Sequence, residues 1–519
     1  MTCRIHQLNK SNGITYVYES VSYWDSIKKQ PRNKKVCIGK LDSDGKFVPS
    51  KRLHPEQAAI RDPQVTARAK VIGPTVILDA ITRELHLDTL LQQCCPKYHQ
   101  QIKAMAYYLL HNGGALSHCA AWCNSHMPDI ATTLSSGQIT RILNEVNLDT
   151  KQTFMARWIE RYATDDYLCY DITSISSYAE SNQYIRYGYN RDCEQLAQMN
   201  LAVIFGQNSG LPLYFQTLPG NITDVTTLHN LLKTINALNS KPLSYVMDKG
   251  FYSKANIDNL FLTRSKFIIS VPLNNKWLQH AIDDIYECVH SPDGYQRIDQ
   301  EVVYVNTRLY SWGVKKHRSY LHLFYNPVAR ANAVDKFNAQ LINYKEELES
   351  GKPLAAHQDM YDEFFIIKHT PKRGIKVSYN NQAVSQYINR YAGFYAILSN
   401  SVKDPVKALQ LYRDKDIIEK SFDDLKNHID MKRLRMHSST TVNGRMFVQF
   451  IALIYMSALR KHMRTSGLIK HYTVRELLQE METLTQVFYS GKYGSIITEM
   501  TKPQSEILKL LKIKFESKT

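Results

Sequence analysis

Leu168-Cys169-Tyr170-Asp171-Ile172-Thr173-Ser174-Ile175 is a run of apolar and β-branched residues with a single carboxylate at its centre. Such a run forms a strand. Aspartate is disfavoured inside one, because its side chain competes for backbone hydrogen bonds and its charge resists burial. Working outward, residues 201–205, 211–217 and 243–247 read as further strands, the first two joined by Gln207-Asn208-Ser209-Gly210. Residues 223–237 and 253–262 read as helices, and 266–271 as a fifth strand. The order β-β-β-α-β-α-β predicts a mixed sheet with helices packed against it, an α/β domain. Asp248 follows the strand 243–247 directly, and Gly250 behind it permits a sharp turn into the next helix. Ligand sites in α/β sheets gather at the carboxyl ends of strands.

A third carboxylate belongs to a helix. Asp404-Pro405, a cap followed by a first-turn proline, predicts a long helix. On it Tyr412, Lys415, Glu419 and Lys426 are separated by three, four and seven residues, which at 100° per residue is a sector of about 60°. Leu411, Ile418, Phe422, Leu425 and Ile429 form an adjoining apolar stripe. Alone, Lys415 and Glu419 are an ordinary i, i+4 ion pair; Asp171 and Asp248 supply the context that makes more of them. Magnesium prefers carboxylate oxygens together with substrate phosphates. Two such ions about 3.5 to 4 Å apart can assist both the attacking and the leaving oxygen of a phosphodiester displacement. Without metal the three carboxylates should repel one another and their pKa values should rise.

The flanks are different in kind. Asn12-Gly13 is a hairpin signal, and the first seventy or so residues read as a small β module. Residues 27–40 carry Lys28, Lys29, Arg32, Lys34, Lys35 and Lys40 with no acid; this suits phosphate contact and equally a charged edge that prevents aggregation. From Gly73-Pro74 the pattern turns helical. A segment starting at Ser135, with Ile139, Ile142 and Leu143 on one face and Gln138, Thr140 and Arg141 elsewhere, reads either as a DNA-recognition helix or as an ordinary packing helix. His118, Cys119, Cys123 and His126 are of zinc-binding type without zinc spacing, so buried small residues explain them better. Residues 273–390 are aromatic and β-leaning and read as an insertion with its own fold, and residues 474–481 and 506–512 as amphipathic helices.

The chain has 519 residues with 65 Lys+Arg against 48 Asp+Glu, a formal charge of +17 that points to a polyanionic partner. The strongly apolar run 447–459 is 13 residues long and contains Gln449, short of the 20 or so a bilayer span needs. The N-terminus lacks a signal-peptide core, and nine scattered cysteines fit a reducing compartment. A cytoplasmic protein without membrane contact is expected.

Four stretches together resemble a known family: Tyr170-Asp171-Ile172-Thr173-Ser174, Leu218-Pro219-Gly220-Asn221-Ile222-Thr223-Asp224, Met247-Asp248-Lys249-Gly250-Phe251-Tyr252-Ser253, and the run from Tyr412 through Lys415 and Glu419 to Lys426. They are similar to the DDE transposases of bacterial insertion sequences, most of all the IS-four superfamily. Its signature sets Tyr, Arg, Glu and Lys with two, three and six intervening residues, and this chain has those gaps at Tyr412, Lys415, Glu419 and Lys426. The resemblance covers about residues 165–450.

It implies an RNase H-like fold interrupted by a β-rich insertion, with Asp171, Asp248 and Glu419 as the catalytic, metal-binding triad. Tyr412, Lys415 and Lys426 would hold phosphates of the transposon end, with Lys415 departing from the family's arginine and unable to make a bidentate fork. Trp277 and Trp312 are the candidates for stacking a flipped base, with core burial as their other reading. Two Mg2+ ions, replaceable by Mn2+, and double-stranded DNA in the form of terminal inverted repeats and target are the implied cofactor and partner, with a homodimer on the DNA in a bacterial, nucleoid-associated setting. The expected activity is cleavage at element ends and strand transfer; a catalytically silent DNA-binding repressor and a nuclease on the same fold are the alternatives. The expected domains are 1–72 (basic β module), 73–150 (helical, DNA-end binding), 151–272 and 391–465 (catalytic core), 273–390 (insertion) and 466–519 (C-terminal helices).

Overall fold

The structure, a computed structural model, describes residues 2–50, 66–163, 166–179, 182–192, 194–238, 243–298, 300–370, 374–429, 433–434, 438–490 and 494–515. They fall into two units, one made of Met1–Arg68 with Phe488–Ser495, the other of Ala69–Val487 with Ile496–Thr519.

In the first unit β1 (Thr2–Leu8), β2 (Thr15–Asp25), β3 (Gln30–Leu41) and β4 (Phe47–Pro49) form an antiparallel sheet in sequence order. The Asn12-Gly13 signal marks the first turn, where Gly13 takes a φ of 67° that side chains other than glycine resist.

After β5 (Ala67–Val71) comes a helical run: α1 (Gly73–Leu85), α2 (Leu87–Cys94), α3 (His99–Asn112), α4 (Cys119–His126), α5 (Pro128–Ala131), α6 (Ser136–Glu145) and α7 (Leu148–Tyr162). Pro74 opens α1, and Ser135 with Gln138 closes a capping box on α6. The sheet and its helices follow: β6 (Tyr167–Ser177), β7 (Gln198–Gly206), β8 (Pro212–Pro219), α8 (Asp224–Leu238), β9 (Ser244–Met247), α9 (Lys254–Leu262), β10 (Lys266–Val271), α10 (Lys276–Asp283), β11 (Tyr295–Ile298), β12 (Glu301–Trp312) and β13 (His317–Tyr325). Then come α11 (Pro327–Glu349), α12 (Gln358–Phe364), β14 (Phe365–Thr370), β15 (Gly374–Tyr379), α13 (Asn381–Gln386), β16 (Phe394–Ser399), α14 (Pro405–Arg413), α15 (Asp416–Asp423), β17 (Arg433–Leu434), α16 (Ser439–Ser466), α17 (Val474–Glu480), β18 (Thr485–Tyr489), β19 (Ser495–Ile497) and α18 (Lys502–Leu510).

The central sheet has ten strands in the order β11-β12-β13-β16-β10-β9-β6-β7-β8, with β17 also on β6. β9 runs parallel to both of its neighbours, β10 and β6, within an otherwise largely antiparallel sheet. The fold is therefore mixed α/β. Among the described residues α16 is the one helix apolar and long enough to cross a bilayer, a full 28 residues where the sequence shows only a 13-residue run. Its apolar window is 94% buried inside the protein, packed against α1, α3, α6 and β8. Phe450 meets Phe215 of β8 at 5.0 Å between ring centroids, and the Tyr455 hydroxyl lies 2.8 Å from Thr82 Oγ1 of α1.

Two expectations need correction. The segment 273–390 is not wholly a separate fold: β13 pairs with β16 from Tyr320↔Ser399 to Tyr325↔Phe394, so β11–β13 extend the central sheet. Leu321, Leu323 and Phe324 bury themselves there. Only α11–α13 and the β14–β15 hairpin stand apart, around their own core of Phe337, Leu341, Leu348, Tyr361, Phe364, Phe365 and Val377. The helix opened by Asp404-Pro405 is also not continuous. α14 stops at Arg413, α15 begins at Asp416, and a π-helical turn spans Asp424–His428. At the break the Lys415 amide donates to Tyr412 O at 3.3 Å and the Ile418 amide to Lys415 O at 2.9 Å, bonds of three residues instead of four that tighten the turn. Tyr412 and Glu419 therefore sit on two helices, and the 60° sector describes no single face.

Candidate active site where β6 pairs with β9

The parallel register of β6 and β9 pairs Tyr170 with Met247. The residues that follow this pair are Asp171 and Asp248, so the two carboxylates stand at the same level, one residue past paired positions of strands that lie about 4.8 Å apart. Asp171 stays in the sheet, paired with Val203 of β7. Asp248 leaves it and caps the single turn Lys249–Phe251.

Their electrostatics differ. Burial pushes the Asp171 carboxyl up to about 6, with Asp248 adding to the rise, and the Ile172 amide, Lys415 and Arg191 only partly offset it. Asp248 also feels burial, but the Tyr412 hydroxyl and Lys415 outweigh it and hold that carboxyl below its usual range. Tyr412 donates to Asp248 Oδ1 at 2.5 Å, and burial and that carboxylate push its own hydroxyl up.

Lys415 is the cation common to the group. Its Nζ lies 3.1 Å from Glu419 Oε1 and 5.6 Å from the centre of the Tyr412 ring. Burial opposes its charge, but Asp248, Glu419 and Asp171 together raise its pKa. Glu419 reaches this ammonium from the rim, its side chain 59% exposed. All three carboxylates thus act electrostatically on one ammonium, which makes its ion pair with Glu419. Their oxygens are not among the described clusters whose ligand atoms all lie within 4.8 Å of one another, which are His111–His126–Glu482 and Asp423–Asp424–His428. Hard oxygen donors within a strand, just past a strand end and on a helix nevertheless make the donor set a magnesium-like cation takes.

Other residues singled out in the sequence are dispersed. Lys426, on the π-helical turn, has its Nζ 2.7 Å from each carboxylate oxygen of Asp192. Trp312 is 5% exposed and donates to Asp258 Oδ1 at 2.7 Å, a core side chain. Trp277 is half-buried, donates to the Tyr252 hydroxyl at 3.0 Å and meets Trp312 edge-on at 6.2 Å. Arg141 lies exposed on α6, whose apolar face packs on α16. Lys28, Lys29, Arg32, Lys34 and Lys35 belong to the first unit and are exposed. Cys119 and Cys123 are buried with sulfurs 3.9 Å apart; that contact and burial push the Cys119 thiol far up, away from the thiolate a metal needs.

Sequence reasoning assigned no role to Arg191 and Asp224. Arg191 pairs with Asp224 at the start of α8 and bears on Asp171. The signal for Asp224 was present, since it closes the stretch Leu218 to Asp224; Arg191 sits in an irregular loop with no motif.

A family model described as "Transposase DDE domain" matches residues 163–455, from just before β6 to the middle of α16. Nothing among curated proteins matches the chain. Among solved structures it is similar to a piggyBac transposase synaptic complex with hairpin DNA, at 9% identity over 78% of this chain and 70% of that one, TM-score 0.35. It is also similar to a Mos1 transposase paired-end complex with left transposon end (12% identity, 31% of this chain and 56% of that one, TM-score 0.15) and to a Drosophila P element transposase strand transfer complex (12%, 81% and 98%, 0.17).

Proposed function

This chain belongs to the transposase DDE-domain family, and on that premise we propose that Asp171, Asp248 and Glu419 are the carboxylates with which it cuts and joins DNA. The chain is a transposase, an enzyme of DNA transposition that binds DNA and works with divalent metal ions. The observation that carries the assignment is the Tyr170↔Met247 register, which sets two acids side by side, with Lys415 drawing Glu419 to them.

The metal we propose is Mg2+, with Mn2+ as substitute, two ions held by Asp171, Asp248 and Glu419. Bound there, they supply the positive charge that favours attack by one oxygen and departure of another. The chain's own residues do the rest. Tyr412 fixes Asp248 Oδ1 through its hydroxyl. Lys415 neutralises the carboxylates in the absence of metal and turns its ammonium to a phosphate of the DNA end once they are otherwise satisfied; Lys426 does the same from Asp192. Lysine holds phosphate as a point charge rather than a fork, so end binding is looser than an arginine would give. We further infer an RNase H-like core, a bacterial insertion sequence of the IS-four superfamily as the source, terminal inverted repeats and target DNA as substrates, a homodimer on the DNA, and a cytoplasmic, nucleoid-associated location.

Strand transfer on end-containing DNA with magnesium tests the assignment. Asp171→Ala, Asp248→Ala and Glu419→Ala should each abolish joining while end binding persists; normal joining by any one removes that residue from the triad. Nicking without joining by the unmodified chain would mark a nuclease, and binding without metal-dependent nicking a silent DNA-binding protein.

A further inference from the structure

β2 and β3 run past the rest of their sheet. β1 makes its last pair at Thr2, opposite Val21, and β4 pairs only with Gly39–Leu41. From Ser22 to Asn33 the two strands have, among the described residues, only each other. A two-stranded ribbon with nothing over it has no interior, and its large side chains are exposed: Tyr23 49%, Trp24 65%, Ile27 91%. Val21↔Lys34 and Tyr23↔Arg32 share one face by the alternation of strands, and Trp24↔Pro31 the other.

The tip is held in shape. Asp25 Oδ1 accepts from the amides of Ile27 and Lys28 at 3.0 Å each, Arg32 Nε lies 3.5 Å from Asp25 Oδ2, and Ser22 Oγ donates to Asn33 Oδ1 at 2.7 Å. Lys28, Lys29, Lys34 and Lys35 have no acidic partner among the described residues. Lysines guarding an open edge against aggregation would explain the charge. They do not explain Tyr23, Trp24 and Ile27, since exposed apolar side chains on an edge promote association instead of preventing it. Basic and aromatic residues together on a bare ribbon fit a polyanion with apolar surface between its charges, and like charge disfavours a second copy of the ribbon.

We propose that this ribbon enters the major groove of duplex DNA, with Lys28, Lys29, Lys34 and Lys35 on phosphates and Tyr23 and Trp24 against sugars and base edges. The major groove, about 12 Å wide, admits a two-stranded ribbon, whereas the minor groove, about 6 Å wide, does not. The four overhanging residue pairs reach about 13 Å, enough to fill a groove about 8.5 Å deep. This rests on the reading that the chain acts on DNA, and not on its carboxylates.

The test is fluorescence anisotropy of the full chain with a labelled duplex across a salt series. Replacing Lys28, Lys29, Lys34 and Lys35 together by alanine should lower the slope of log affinity against log salt by about 3 to 4, near 0.9 per lost phosphate contact, with the thermal melt unchanged. Trp24→Ala should weaken binding without changing the slope. Guanine N7-methylation, which blocks the major groove, should weaken the unmodified chain more than the fourfold variant, and distamycin in the minor groove should leave their difference intact. The wild-type slope and affinity in the fourfold variant overturn the proposal, as does distamycin erasing the difference, or a change of oligomeric state in place of the change in slope. The strand-transfer assay of the carboxylate variants is read independently of this slope, so a failed ribbon leaves the carboxylate assignment standing; an unmodified chain that ignores duplex DNA sinks both.

Discussion

Asp171 sits mid-strand, mostly buried and beside a second carboxylate, and its acid is lifted to about 6 from the usual value near 3.9. The folded protein therefore holds this proton more tightly than the unfolded chain does. Stability from that preference is fully present below about pH 4 and lost as pH rises through 6, leaving the ionised group unfavourable by about 3 kcal/mol at neutral pH. Asp171→Asn should raise the melting temperature at pH 7.5, change it little at pH 4, and abolish joining. Equal shifts at both pH values would contradict the burial account. Lys415 offers the complementary change. A guanidinium in its place keeps the charge that binds the carboxylates together and adds a planar fork for phosphate, so Lys415→Arg should tighten DNA-end binding several-fold in an anisotropy titration, whereas Lys415→Ala should weaken it.

Between residue and fold lie contacts that local sequence does not encode. The strands 167–271 were readable because each carries its own apolar run bounded by turns, and Asp171 and Asp248 were readable because acids in such places are conspicuous. The pairing of β13 with β16 was not, because it joins segments far apart in the chain across α11–α13 and the β14–β15 hairpin. Neither was the break at Asp414–Lys415, where no glycine or proline announces a shift of hydrogen bonds. Glu419 was chosen from motif spacing, and the single helix face invoked for it does not exist. The seating of α6 on α16 is another hidden contact: a Cβ on Gly444 would lie 2.0 Å from the Leu143 carbonyl oxygen, whereas one on Gly137 would meet nothing within 4 Å. Gly444→Ala should therefore force the helices apart and cost about 1 to 3 kcal/mol, read as a lower melting temperature. Gly137→Ala, in open space on α6, should be neutral or stabilising by up to about 1 kcal/mol.

At the scale of the whole molecule, a chain of charge +17 carries three carboxylates that act on one another and on Lys415, and the basic surface and these acids respond oppositely to added ions. Monovalent salt screens the self-repulsion of the basic surface and so raises stability without regard to these carboxylates. A divalent cation that binds the three carboxylates adds a saturable increment, about 2.7 kcal/mol at a hundredfold excess over its dissociation constant, because the unfolded chain does not assemble them. Magnesium chloride compared with sodium chloride at matched ionic strength separates these effects. The unmodified chain should melt higher in magnesium, with Mn2+ acting likewise, and Asp248→Asn should melt equally in both salts. Lys415→Ala should show a larger magnesium increment than the unmodified chain, since its apo state lacks the ammonium that the three carboxylates share and the ion has no competing positive charge to displace. An increment that survives Asp248→Asn would place the cation elsewhere, with the His111–His126–Glu482 and Asp423–Asp424–His428 clusters as the next positions to mutate.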